Sequence, residues 1–223
     1  MKQVAVIGLG RFGMSVAESL SENRCQVLAI DNDMVKVKQA QTFVTQAVQL
    51  DAREADALKA VGVAEMDQAV VAIGSMLESS MLATMVLKEI GVKYVVAKAV
   101  TKLHGRFLEK VGADSVVYPE MDSGRQLGRH LAKPNILEQV EFGADHGVFE
   151  IVAPETWVGK TLAELSVRGK YGVSVLAIKT APENAGSGVT YEMNISPLAT
   201  TVISGKDILL VLGHGDDVEK IAK

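Results

Sequence analysis

Three glycines near the amino terminus stand where a backbone could meet phosphate. Gly8, Gly10 and Gly13 lie in Val4-Ala-Val-Ile-Gly-Leu-Gly-Arg-Phe-Gly-Met-Ser-Val-Ala17, a glycine-rich turn between an apolar strand pattern and a helical one. In such a turn the first glycine makes the tight bend, the second lets backbone approach a pyrophosphate, and the third lets helix and strand pack closely. The helix that follows offers free N–H groups and the positive end of its dipole to an anion. Asp31 ends the next strand pattern, about 20 residues on, where a carboxylate accepts hydrogen bonds from ribose hydroxyls and repels a 2′-phosphate. Asn32 and Asp33 are open to two readings, ribose contact or helix cap. Arg11 departs from a plain dinucleotide fingerprint. Its guanidinium is either a contact to a phosphate beyond the pyrophosphate or a solvated charge in the first helical turn.

Catalytic groups are sparse beside this loop. His104, His130, His146 and His214 are scattered, with no acid or cysteine partner in sequence, and His104 and His130 are expected on exposed helix faces. The sequence has no full Gly-x-x-x-x-Gly-Lys-Ser/Thr phosphate loop, serine elbow or metal-ligand cluster. A hydride-transferring enzyme would further need a sizeable substrate domain, which the second half is too short to supply. A binding function is the stronger reading, with a small NAD-dependent oxidoreductase or a stand-alone nucleotide sensor as alternatives.

The elements that must position these residues alternate strand and helix patterns. Strands are expected at Val4 to Ile7, Gln26 to Ile30, Phe43 to Val48, Gln68 to Ile73, Tyr94 to Lys98 and Ser115 to Tyr118, with helices from Arg11, Met34, Glu54, Met76 and Lys102. That order describes a Rossmann-like, doubly wound parallel sheet. The helix from Met76 carries two apolar stripes, Leu77/Met81/Met85 and Leu82/Val86/Ile90, so it is either sunk between neighbours or left with one face for a second chain. Pro134 breaks a polar segment from Glu120 to Leu131. The rest reads as a smaller α+β domain: strands at Val148 to Val152, Val173 to Lys179, Tyr191 to Ile195 and Ile208 to Leu212, a short helix at Thr161 to Leu165, a loop from Pro182 to Gly188 and a closing helix from Asp216. The expected division is a nucleotide-binding domain over 1–120, a helical linker over 121–138 and a C-terminal domain over 139–223.

Composition narrows the partners. With 23 Lys and Arg against 27 Asp and Glu, a net charge of −4, the 223-residue chain lacks the broad basic footprint of a nucleic-acid binder. A single cysteine, Cys25, excludes an internal disulfide and fits a reducing cytosolic setting. Met1-Lys2-Gln3 runs straight into a strand pattern, leaving no room for a signal peptide, and no apolar run approaches the ~18 residues of a membrane span.

The ordered motifs Val6-Ile-Gly-Leu-Gly-Arg-Phe-Gly13, Ala72-Ile-Gly74, Gly112-Ala-Asp114, Tyr118-Pro-Glu120, Arg168-Gly-Lys-Tyr-Gly172 and Ala177-Ile-Lys179 resemble those of RCK (KTN) domains, the cytosolic regulatory subunits of Ktr and Trk potassium uptake systems. The resemblance spans essentially the whole chain. It implies a cytoplasmic regulator held at the inner face of the membrane by a potassium-translocating subunit, with dimers assembling into a ring, by expectation an octamer. The Arg11-Phe12 pair looks like the Ktr branch, which takes ATP or ADP, more than the NAD-associated Trk branch. The resemblance places Asp51, Ala52, Ser75 and Ser80 along the nucleotide pocket and makes Lys98, at the carboxyl edge of the fifth strand, a phosphate candidate. Asp51 reads equally as a helix cap, and Ser75 and Ser80 as first-turn polar residues. Glu120 matches a glutamate associated with a divalent cation, here magnesium, with Asp122 a weaker second; the plain alternative for Glu120 is a helix-terminal charge. Arg168, Ile178, Ile195, Ser196 and Pro197 fall where relatives dimerise and bind cyclic di-AMP.

Overall fold

The computed structural model describes residues 1–74, 76–143, 145–182 and 191–222. Ser75 and most of the Pro182 to Gly188 loop lie outside these. The chain divides into two compact units, Met1–Ser123 and Gly124–Lys223.

In the first unit, β1 (Gln3–Ile7), α1 (Arg11–Glu22), β2 (Gln26–Asp31), α2 (Met34–Ala40), β3 (Gln46–Gln49), α3 (Ala55–Ala60), β4 (Gln68–Val71), α4 (Leu77–Glu89), β5 (Val95–Lys98), α5 (Lys102–Lys110) and β6 (Ser115–Val117) follow in order, and α6 (Pro119–Ala132) begins. Six strands form one sheet in the order β3-β2-β1-β4-β5-β6, every pairing parallel. Crossover helices cover both faces of such a sheet, so its inner strands are apolar throughout rather than alternating. Val4 to Ile7 and Val27 to Ile30 are accordingly all buried. Ile7, Leu28 and Ile30 pack with Leu58, Leu87 and Leu108 on one side, while Val6, Val27 and Ala29 pack with Leu9, Ala17 and Val37 on the other. The strand order reverses between β1 and β4, and the carboxyl ends of those strands open there onto a crevice, where ligands bind in doubly wound sheets.

Two strands are shorter than their sequence patterns suggest. Phe43 and Val44 do not join β3; their amides donate to the Ala40 carbonyl, closing α2, and their side chains pack on the core instead. Ala72 and Ile73 leave the ladder after β4 and run past the glycine loop. On α4, Val86 and Leu87 are buried and Met81 packs on the core, while Leu77 and Met85 remain exposed. His104 corrects its expectation: it is only 2% exposed, because its Nδ1 accepts the Val100 amide at the start of α5 and turns the ring inward. His130 is exposed, as expected.

The second unit contains β7 (Ile136–Glu141), β8 (His146–Val152), α7 (Leu162–Leu165), α8 (Val167–Tyr171), β9 (Ser174–Thr180), β10 (Glu192–Ile195), β11 (Asp207–His214) and α9 (Gly215–Ile221). Its sheet runs β10-β9-β11-β8-β7, with every pairing antiparallel. Phe149, Ile151, Ile178, Leu209 and Val211 line the inner face with Trp157, Val218 and Ile221. Thr161 and Glu164 form a reciprocal capping box at the start of α7. Strand β7 was not legible in sequence: Ile136 to Glu141 mixes polar and apolar residues, and among the described side chains of this edge strand only Ile136 is buried. No helix among the described residues is long and apolar enough to cross a membrane.

Candidate functional site

The glycine loop joins β1 to α1, and each glycine meets a different steric demand. Gly8 has φ +92°, and a Cβ there would stand 3.0 Å from the Ile73 backbone nitrogen. A Cβ on Gly13 would lie 1.9 Å from the Gly8 carbonyl oxygen. Gly10 is different: its backbone is extended, and a Cβ would meet nothing within 4 Å. The space over Gly10 is therefore open to a ligand. Gly10 also precedes the first turn of α1 without any side-chain cap, so that turn's N–H groups have no competitor from within the chain.

Asp31 is anchored from the loop itself. Its Oδ2 accepts the Leu9 amide at 2.6 Å and its Oδ1 accepts the Asp33 amide at 2.9 Å, while Lys36 Nζ stands 3.4 Å away. The residue is thus 7% exposed, with a cation at one edge of its carboxylate. Asp33 accepts the Val35 amide and caps α2, which settles that residue as a cap.

A cleft of about 150 Å³ runs from the loop across the strand ends. Gly8, Gly10, Asp31, Asn32, Asp51 and Ala52 line it as the sequence suggests. Lys36, Arg53, Gly74, Met76 and Ser79 line it as well and escaped sequence reading. Of these, Arg53 had a detectable signal, since it lies two residues after Asp51 in the turn before α3. Its Nε lies 2.9 and 3.0 Å from the two Asp51 oxygens, its Nη2 lies 2.5 Å from Oδ2, and its amide donates to Oδ1 at 3.0 Å. The Arg53 side-chain hydrogen bonds, then its amide, hold the Asp51 carboxyl below its ordinary range. Ser80 does not line the cleft: its side chain is fully buried with an unpartnered hydroxyl, and the preceding residue, Ser79, takes the cleft position.

A second group adjoins the loop. Lys98 Nζ sits 5.5 Å from the centre of the Phe12 ring and 2.5 Å from Glu120 Oε1. That hydrogen bond first, with Arg11 contributing a weaker attraction, holds Glu120 below the usual carboxylate range. The Lys98 side chain is nearly buried, whereas Glu120 is 67% exposed and Arg11 is exposed. The phosphate candidate and the metal candidate therefore form one ion pair. No group of three or more metal-ligating side chains occurs among the described residues, so a cation at Glu120 would take its other ligands from phosphate and water.

In the second unit Arg168 and Ile195 are exposed, Ser196 takes φ +63°, and Pro197 is half-buried. Ile178 is a correction. It is 2% exposed in the core because its register with Leu209 points it at the inner face, so it offers no surface to a ligand in this chain.

Fold and cleft together define a protein with a Rossmann-type nucleotide-binding fold, followed in sequence by a small antiparallel-sheet unit. Residues 4–119 match the TrkA-N domain and residues 148–223 the TrkA-C domain. The chain is 38% identical over 222 residues to Ktr system potassium uptake protein C of Bacillus subtilis, covering 100% of this chain and 96% of that protein. It is 35% identical over 215 residues to Ktr system potassium uptake protein A of Vibrio alginolyticus, covering 96% and 94%. The chain belongs to this Ktr branch of the TrkA-N/TrkA-C, or RCK, family, a branch of potassium uptake regulatory subunits. Among solved structures, the GsuK channel bound to NAD superposes with a TM-score of 0.63 at 16% identity, over 100% of this chain and 39% of that one. GsuK bound to ADP gives 0.51 at 15%, over 60% and 36%. At those identities the likeness shows the fold alone.

Proposed function

We propose that this chain is a cytoplasmic regulatory subunit that binds ATP or ADP and gates a membrane potassium-translocating partner according to which nucleotide it holds. The observation that carries this reading is the placement of two cationic groups: beyond the open N–H groups at Gly10 lie Arg11 and Lys98, the latter beside the Phe12 ring, where a third phosphate would extend from a diphosphate seated on the loop. Asp31 and Asn32 then face the ribose, with Asp51 and Ala52 toward the base. The family resemblance alone places Ser75 along the adenine, ribose or phosphate side of the pocket.

A ligand shifts a conformational equilibrium only through differential contacts. The third phosphate supplies them, drawing on Arg11 and competing with Glu120 for Lys98. Magnesium, when bound, would neutralise phosphate charge; Glu120 fits it as the single protein carboxylate. Assembly into dimers and a ring, proposed as an octamer, has an apolar surface available in Leu77 and Met85 of α4 and Leu103 and Phe107 of α5, all exposed. Cyclic di-AMP remains a proposal for Arg168, Ser196, Ile195 and Pro197 alone.

NAD or NADH is the second reading, favoured by the NAD-bound GsuK structure that shares the fold. Thermal shift separates the two, because a ligand that binds the native state raises its melting temperature by mass action. ATP with magnesium is expected to stabilise the chain more than NADH; the opposite order sinks the ATP/ADP assignment. Gating is tested by co-purifying the membrane partner and measuring potassium flux in proteoliposomes, with ATP and ADP expected to give different rates.

A further inference from the structure

One wall of the cleft carries a charged pair, Asp51 and Arg53. Beyond the phosphate end at Gly8 and Gly10 and the ribose position at Asp31, the lining includes Leu50, Ile73 and Met76 with the Asp51/Arg53 pair, and Asn32, Lys36 and Ser79 add polar groups elsewhere on the cleft. An apolar patch of Leu50, Ile73 and Met76 beside a charged pair suits a flat heteroaromatic ring. A free Asp51 would accept hydrogen bonds from the N–H groups of a base and so discriminate between purines by where each carries them. It is not free. Arg53 donates to both carboxylate oxygens through Nε, to Oδ2 through Nη2 and to Oδ1 through its amide. The same bonds fix the guanidinium plane. Arg53 spends no further rotamer freedom when it meets a ligand, and a planar guanidinium stacks on aromatic faces in a way a lysine ammonium cannot.

Resting on the nucleotide reading above, we propose that Arg53 is the residue against which the nucleobase stacks, that Asp51 acts as its positioning residue, and that the cleft accepts purine nucleotides without strong choice of base. Every purine presents a π-face, so stacking is tolerant where hydrogen bonding is selective. The site then reports how many phosphates a nucleotide carries more sharply than which base it has.

Isothermal titration of the full chain tests this with ADP, GDP and inorganic tripolyphosphate. Wild type is expected to bind ADP and GDP within about fivefold of each other. Arg53→Ala is expected to weaken both by roughly fivefold to tenfold, the scale of a cation–π contact, and to leave tripolyphosphate unchanged. Arg53→Lys keeps the charge without the plane and should behave like Arg53→Ala; Asp51→Asn, which releases the guanidinium, should weaken ADP and GDP in parallel. Melting curves of each variant certify its fold, since the pair is half-exposed and off the core. Unchanged ADP binding in Arg53→Ala overturns the proposal, as does a wild-type preference for ADP over GDP that Asp51→Asn abolishes. Failure of wild type to bind ADP at all overturns the nucleotide reading itself and this inference with it.

Discussion

Replacing Gly10 and Gly13 by alanine, one at a time, separates the two jobs of the glycine loop. At Gly13 the new Cβ would fall 1.9 Å from the Gly8 carbonyl oxygen, and both partners are backbone. Relieving that overlap needs β1 and α1 to part by an ångström or more, at a cost of about 1–3 kcal/mol or higher. For a unit of this size that corresponds to a fall in melting temperature on the order of 5–10 °C. At Gly10 the Cβ meets nothing, and φ −71° suits any residue. Alanine there gains a little from a less flexible unfolded chain and loses a little as a poorer N-cap, so the two effects offset to within about 1 kcal/mol. The same methyl, however, stands in the space through which phosphate oxygens reach the first turn of α1. ADP affinity should drop at least tenfold, about 1.4 kcal/mol. Differential scanning fluorimetry with and without ADP reads both quantities in one plate. Gly10→Ala should melt like wild type and lose the ADP-dependent rise, whereas Gly13→Ala should melt early. Retention of the full ADP shift in Gly10→Ala would refute the placement of phosphate over that residue.

Three more perturbations test the surrounding groups. Asp31→Asn removes a charge-assisted acceptor from the Leu9 amide, so the loop should lose roughly 1–2 kcal/mol of support, read as a lower melting temperature even without nucleotide. Glu120 is held below its ordinary range by Lys98, so the pair's contribution is present above about pH 4.3, the unfolded value, and fades as pH falls through the lower folded one. Melting curves of wild type and Glu120→Gln should accordingly differ slightly at neutral pH and converge in acid; the exposure of Glu120 keeps the difference small, and a gap that widens in acid would contradict the assignment. Burial lowers the His104 pKa, which favours the neutral ring in the fold. Stability should therefore fall as pH drops below about 6.5 and level off below the folded value, and His104→Gln should flatten that slope in a pH series of chemical denaturation.

Much of this was legible in the sequence because the loop imposes local demands. Only glycine serves at Gly8 and Gly13, so those residues mark the β1–α1 turn wherever the chain goes next. Asp31 was visible for the same reason, its distance from the loop being fixed by one strand and one helix. What stayed hidden depends on contacts between distant segments. Phe43 and Val44 have the side chains of a strand and are used to seal α2, a choice that tertiary packing makes against local propensity. His104 is polar and sits on a helix, yet the Val100 amide draws it inward. Ser79 and Ser80 are neighbours on one helix, and a rotation of about 100° per residue decides which one meets the cleft.

The pairing of charges around the cleft bears on how it would discriminate ligands. Asp31 faces Lys36, Asp51 faces Arg53, and Glu120 faces Lys98, so three carboxylates near the site each already hold a cation. A ligand phosphate arriving near Lys98 does not simply add an attraction; it competes with Glu120 at 2.5 Å. What the third phosphate contributes is then the difference between two ion pairs, smaller than either and sensitive to any cation that takes up the released carboxylate. Because Glu120 opens α6, exchange of its partner acts on the first turn of the helix by which the chain leaves the nucleotide-binding unit. On the proposed ATP/ADP reading, a small difference at the phosphates is felt first at that turn. Lys98→Met tests that step: it should abolish the distinction between ATP and ADP in potassium flux while ADP, held by the loop, still binds.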